Sequence, residues 1–133
     1  MSEPGAEASV ALSIIIPTLN EARSVVATLE AVAEVRGHSV EVIVVDGGSS
    51  DGTLEILRER GARVVESERG RGAQMHAGAC AATGGALWFL HADTIPPPDA
   101  AERILEALKD RQVVGGNFSV RFDVRRTAAR FLT

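Results

Sequence analysis

The feature that most constrains this chain is the form of its apolar runs. Residues 13–17 (SIIIP), 40–45 (VEVIVV), 62–66 (ARVVE) and 86–90 (ALWFL) are short and nearly continuous rather than alternating. Such runs are expected of strands covered on both faces. Between them lie stretches of helical character: 21–35, with Val25, Leu29 and Val32 on one face and Gly37 closing it; 51–60, ended by Gly61; and a small-residue helix over 72–82. A further helix is predicted over 99–110 with Ile104, Leu105 and Leu108 inward, and a last strand over 113–122 with Gly115-Gly116 as a bulge. Strand and helix alternate throughout, which implies an α/β fold with a mostly parallel, Rossmann-like sheet and helices on both faces. With 133 residues this is one domain, preceded by a tail over 1–12 whose small polar part runs through Ala8.

In open sheets of this kind, ligands sit outside the carboxyl ends of the strands. The polar and acidic residues of this chain collect at those ends: 18–21 after the first run, 46–52 after the second, 66–72 after the third and 91–94 after the fourth. Four loops at one edge would make a cleft. Composition narrows what enters it. The formal charge is -4, which does not favour a nucleic-acid partner. No basic-then-apolar leader and no 18-residue apolar window appears, so the expectation is a cytoplasmic protein without a transmembrane segment.

Each loop offers a chemical candidate beside a plainer structural role. Asp46 ends an apolar strand, where a carboxylate faces the cleft and can accept from a ring N–H or a ribose hydroxyl. Asp51 is placed as the N-cap of the next helix or as part of the same pocket. Thr18 and Glu21 fit a capping box, with Thr18 at N-cap and Glu21 at N3, and the same turn can touch a nucleoside. Arg69 and Arg71 flank Gly70 before a helix N-terminus, where guanidinium and helix dipole both favour a phosphate. Asp93 follows the fourth run and suits a hard divalent cation on a diphosphate. His91, two residues earlier on the same side of an extended chain, could add a ligand for a softer ion such as Mn²⁺. An Asx turn leading into Pro96 is the plainer reading of Asp93. Arg121, Arg125, Arg126 and Arg130 read as a solvated face, His76 as an ordinary helical residue, and Cys80, with no partner for an internal disulfide, as a buried small residue.

Several nucleotide-binding classes are excluded by what the turns lack. A dinucleotide-binding oxidoreductase needs its glycine fingerprint after the first strand, but that turn is PTLNEA. A sugar nucleotidyltransferase of similar fold needs a Gly-rich, basic loop at the same place. A P-loop needs GxxxxGK, and the only lysine is Lys109.

Taken together, IIIPTLNEA, VEVIVVDGGSSDGT, RGRGAQMHAGACAATGG and LWFLHADTIPPP resemble, in order and spacing, the family 2 glycosyltransferases of the GT-A fold. The form GRGAQMHAGA followed by FLHADT is similar to the arsenosugar-biosynthesis-type branch. The resemblance implies a transferase that moves a sugar from a nucleotide-sugar donor, UDP-linked by preference, to an unidentified acceptor with help from Mn²⁺ or Mg²⁺. Pro17, Thr18 and Glu21 would hold the nucleoside, Asp46 the base, and Asp51 the same pocket. Asp93 matches the final acid of the family's DXD-type motif, and His91 stands where its first Asp would be, which leaves metal affinity and identity open. The resemblance also places an acceptor-binding half, with the carboxylate that deprotonates the acceptor, beyond Thr133. The expectation is therefore a nucleotide-sugar-binding domain over 13–133 that binds donor but transfers poorly or acts as a binding module, with an exposed apolar face that favours a homodimer.

Overall fold

A computed structural model describes residues 9–35 and 39–118. The elements run β1 (Leu12–Thr18), α1 (Val25–Ala33), β2 (Val40–Asp46), α2 (Thr53–Glu59), β3 (Val64–Glu66), α3 (Arg71–Ala81), β4 (Ala86–Phe89) and α4 (Ala100–Ala107). The four strands form one sheet in the order β3-β2-β1-β4, and every pairing is parallel. In the register of β1 and β2, Thr18 lies beside Asp46, so the first two polar loops leave the sheet at the same height.

The continuous apolar runs do what such runs must in a two-sided sheet. Leu12, Ile14, Ile16 and Val44 pack on one face with Val25, Val32, Leu57 and Ala101 from α1, α2 and α4. Ile15, Ile43 and Val45 face the other way, against Ala77, Ala81 and Ala82 at α3. Burying each of these Ile and Leu side chains contributes roughly 1.5–3 kcal/mol. The small residues of α3 let it lie close to the sheet: a Cβ at Gly78 would overlap Ile15 and Val45. That close approach brings the N-terminus of α3 to the strand ends.

The expected elements over 51–60, 62–66, 72–82, 86–90 and 99–110 are present, shifted or shortened by one to three residues at their ends. Three expectations change. The first helix begins at Val25, four residues later than expected, and the capping box does not form. Asn20 adopts a left-handed backbone (φ 55°), which a right-handed helix cannot continue through, and the Thr18 hydroxyl is committed to Asp46. Residues 113–118 of the expected last strand carry no strand, and 119–122 lie outside the described residues. The tail over 1–12 ends sooner: Val10 and Ala11 already exchange backbone hydrogen bonds with Gly85, Ala86 and Ser39, and Leu12 is fully buried. Gly37 and the four C-terminal arginines also fall outside the described residues.

Candidate functional site

The loop after β1 and the loop after β2 are sewn together. Gly47 N–H donates to Thr18 O at 3.0 Å. Asn20 accepts from Ser50 N–H at 2.8 Å through its side chain, while its own N–H donates to Ser49 Oγ at 2.9 Å. Glu21 N–H donates to Thr53 Oγ1, and Ala22 N–H to Asp51 Oδ2. The left-handed turn at Asn20 is what aims this side chain back across the gap, and Asn tolerates that conformation better than most residues.

Asp46 is the hub of the seam. It is 1% exposed, and both oxygens are engaged. Oδ1 accepts from Thr18 Oγ1 at 2.9 Å and Ser49 Oγ at 2.6 Å; Oδ2 accepts from the N–H groups of Gly48 and Ser49 at 3.0 and 2.9 Å. Burial pushes its carboxyl up, but the hydrogen bonds from Ser49, Thr18 and Gly48 outweigh that and hold it below its ordinary value. All four lone-pair positions of the carboxylate are thereby filled. Asp51 is held below its ordinary value chiefly by the Thr53 hydroxyl, with Ala22 N–H adding to it. It closes the turn before α2 from one position ahead of the cap, because Gly52 occupies the cap itself.

On the far side of β1, residues from β4 and the N-terminus of α3 complete a cleft of about 300 Å³, lined by Pro17, Thr18, Leu19, Glu21, Arg69, Gly70, Arg71, Gln74, Met75, Phe89, Leu90 and His91. Arg71 NH2 approaches His91 Nε2 at 3.3 Å. A guanidinium only donates, so a hydrogen bond in this contact takes the lone pair of the imidazole nitrogen. Glu21 lies at the rim where the acids converge. Burial raises its carboxyl, the Ser24 hydroxyl opposes that, and the negative charges of Asp93 and Asp51 raise it further. Asp93 itself is exposed on the loop after β4, and no described residue donates a hydrogen bond to its carboxylate.

Of the residues singled out in the sequence, then, Pro17, Thr18, Glu21, Arg71 and His91 share one cleft. Asp46 and Asp51 stand behind it in the seam, and Asp93 stands at its edge, close enough for Glu21 to sense its charge. No group of three or more His, Cys, Asp or Glu side chains among the described residues is placed to hold a metal ion by itself. A metal at this rim would rely on one or two protein ligands and on ligand oxygens, which is how Mg²⁺ is commonly held beside phosphates. Asp93, whose carboxylate accepts no hydrogen bond from any described residue, fits that part. His91 fits it only once Nε2 leaves Arg71.

Two residues depart from the sequence reading. Cys80 is exposed rather than buried and lies 3.5 Å from His76 Nε2, one helical turn back on the outer face of α3. Gln74, unremarked in the sequence, is 4% exposed, and its amide donates to Thr18 O and Val45 O at 2.9 and 3.0 Å. Its only signal was a large polar residue amid Gly and Ala on the helix beside the cleft.

Comparison with known proteins bears on this geometry. The sequence model of the family described as glycosyl transferase family 2 matches residues 13–132. The glycosyltransferase AglE of Haloferax volcanii is 33% identical over 129 residues, covering 89% of this chain and 42% of its own. Among solved structures, the mannosyltransferase PcManGT of Pyrobaculum calidifontis, in complex with GDP-Man and Mn²⁺, superposes with a TM-score of 0.73 at 28% identity, covering 79% of this chain and 34% of that one. Glucosyl-3-phosphoglycerate synthase of Mycobacterium tuberculosis, in complex with Mn²⁺, UDP and glucosyl-3-phosphoglycerate, gives a TM-score of 0.65 at 25% identity, covering 81% and 46%. The chain spans 34% and 42% of the length of the first two curated relatives it matches. No helix among the described residues is long and apolar enough to cross a membrane.

Proposed function

The chain belongs to glycosyl transferase family 2, and on that premise we propose that its strand-end cleft binds a nucleotide-sugar donor, UDP-linked by preference, for transfer of the sugar to an acceptor. The observation that carries this is the convergence of Pro17, Thr18, Glu21, Arg71 and His91 on one cleft at the carboxyl edge of the sheet. Pro17 and Thr18 form the wall for the nucleoside. Asp46 reaches the base by exchanging the hydroxyl of half-buried Ser49 for a ring N–H of the ligand. Asp51 keeps that wall in place through Ala22 and Thr53. Arg71, beside the first N–H groups of α3, receives the diphosphate, where guanidinium and helix-end charge both favour an anion.

A divalent cation, Mn²⁺ or Mg²⁺, would be held by Asp93, and by His91 when Arg71 turns from the imidazole to a phosphate. Bound there, it supplies positive charge to the departing diphosphate. Phosphate and imidazole compete for the same guanidinium, so donor binding itself frees the nitrogen of His91. Burial and, after it, the negative charges of Asp93 and Asp51 raise Glu21, and a cation at this rim would relieve the part due to charge.

A crystal grown with UDP and Mn²⁺ tests the proposal. The nucleoside is expected against Pro17 and Thr18, with the metal coordinated by an Asp93 oxygen. Nucleotide lodged instead in the groove between Leu29, Val42 and Arg60 would reject it. Donor hydrolysis, measured in the same preparation, then separates turnover from binding alone.

A further inference from the structure

We propose that Gln74 is a positioning residue for the donor cleft: its amide locks the turn that carries Arg71 to the ends of the strands that carry Thr18 and Asp46. The inference rests on the donor-binding reading and adds a residue to it.

Both Nε2 hydrogens are consumed by carbonyls of two different strands, Thr18 O in β1 and Val45 O in β2, at the point where the ladder ends. Thr18 O also accepts Gly47 N–H, so one oxygen gathers α3, β1 and the β2 loop. The opposite end of the amide, Oε1, faces Gly70 N–H at 3.4 Å, at the residue preceding α3. Two carbonyls on one side and an N–H on the other fix the orientation of the amide, since the reversed one would set oxygen against oxygen. Gly47 lies flat on this group; a Cβ there would fall 2.8 Å from the amide carbon and oxygen.

An apolar side chain of equal volume would fill the space but leave Thr18 O and Val45 O without this donor in a buried setting. The segments so joined are the two walls of the cleft. One holds Pro17 and Thr18, the other Arg69, Gly70 and Arg71. Gln74 thus sets the distance between nucleoside wall and phosphate wall, and displacements of about 1 Å in such a frame can change rates by about 100-fold.

Three variants test this, with UDP and Mn²⁺ as the probe in calorimetric titration and the thermal midpoint measured alongside. Gln74→Met is expected to bind UDP about tenfold or more weakly at temperatures where it is fully folded, a loss of about 1.4 kcal/mol. Val32→Ala, which destabilises the core face away from α3, is expected to lower the midpoint and leave the affinity unchanged. Gln74→Glu sets a carboxylate against two carbonyls; protonation restores one donor, so its affinity relative to the parent should rise as the pH is lowered from mildly alkaline to mildly acidic. A folded Gln74→Met that binds like the parent overturns the inference, as does equal weakening in Val32→Ala. If Gln74→Met does not fold, a Gln74→Glu affinity that tracks the parent at every pH overturns it. A parent chain that binds no UDP with Mn²⁺ removes the donor reading first, and this inference with it.

Discussion

The two acids on which the functional reading turns live in opposite surroundings. Asp46 is buried and accepts four hydrogen bonds, while Asp93 is exposed with no described donor on its carboxylate. They flank the same strand, β1, at the same edge of the sheet. One side of the cleft is thus rigid before any ligand arrives, and the other keeps carboxylate oxygens available for a cation. A pinned carboxylate shapes a wall and meets a ligand only by giving up one of its donors; a free one can take a new partner directly. The difference teaches that burial and hydrogen bonding distinguish the acid held in the framework from the acid open to a cation more sharply than sequence position does.

This contrast can be broken in four places. Asp46→Ala removes the acceptor of four donors, two of them backbone N–H groups, and is expected to cost about 3 kcal/mol in chemical denaturation; a loss below about 1 kcal/mol would mean that the seam is not held by this residue. Asn20→Ala forces a Cβ-bearing residue without a local acceptor into the left-handed region and should cost about 1–2 kcal/mol, while Asn20→Gly should recover the backbone part of that loss.

Glu21 and Asp46 have opposite pH signatures. Asp46 titrates in the fold below its ordinary value of 3.8, so its stabilisation is complete above that value and is lost as the pH falls through the lower folded value. Glu21 titrates above its ordinary 4.5, so its contribution is present below 4.5 and is lost as the pH rises through the folded value. Glu21→Gln should therefore leave stability at neutral pH unchanged or raise it by at most about 0.5 kcal/mol, as read from thermal melts between about pH 3 and about pH 8. A clear drop would show that its charge is needed for the fold. Asp93→Ala should have the smallest effect on folding, within about 0.5 kcal/mol, because this exposed carboxylate accepts no hydrogen bond from any described residue.

Much of this architecture was legible in the sequence because short-range patterns carry it. Continuous runs such as IIIP and VIVV can be satisfied only between two layers, and Ile14 and Ile15 do face opposite helices. Acidic residues after each run, with glycine after the second and third, mark the strand ends, and the cleft opens there. What the sequence hid depends on contacts distant along the chain. Thr18 reads as a cap until Asp46, 28 residues away, is seen to claim its hydroxyl. Gln74 stands out locally only as a large polar residue amid Gly and Ala; its meaning comes from carbonyls 56 and 29 residues earlier. Cys80 was misplaced because Ala-rich surroundings suggest burial, whereas only the 77, 78 and 81 side of α3 meets the sheet.

The most direct test of the whole account is a titration of UDP into the parent chain and Asp93→Ala, each with and without Mn²⁺. The account predicts that Mn²⁺ strengthens binding to the parent by tenfold or more (about 1.4 kcal/mol) and that Asp93→Ala, melting like the parent, loses that gain while keeping the metal-free affinity. Equal metal enhancement in both proteins would contradict it.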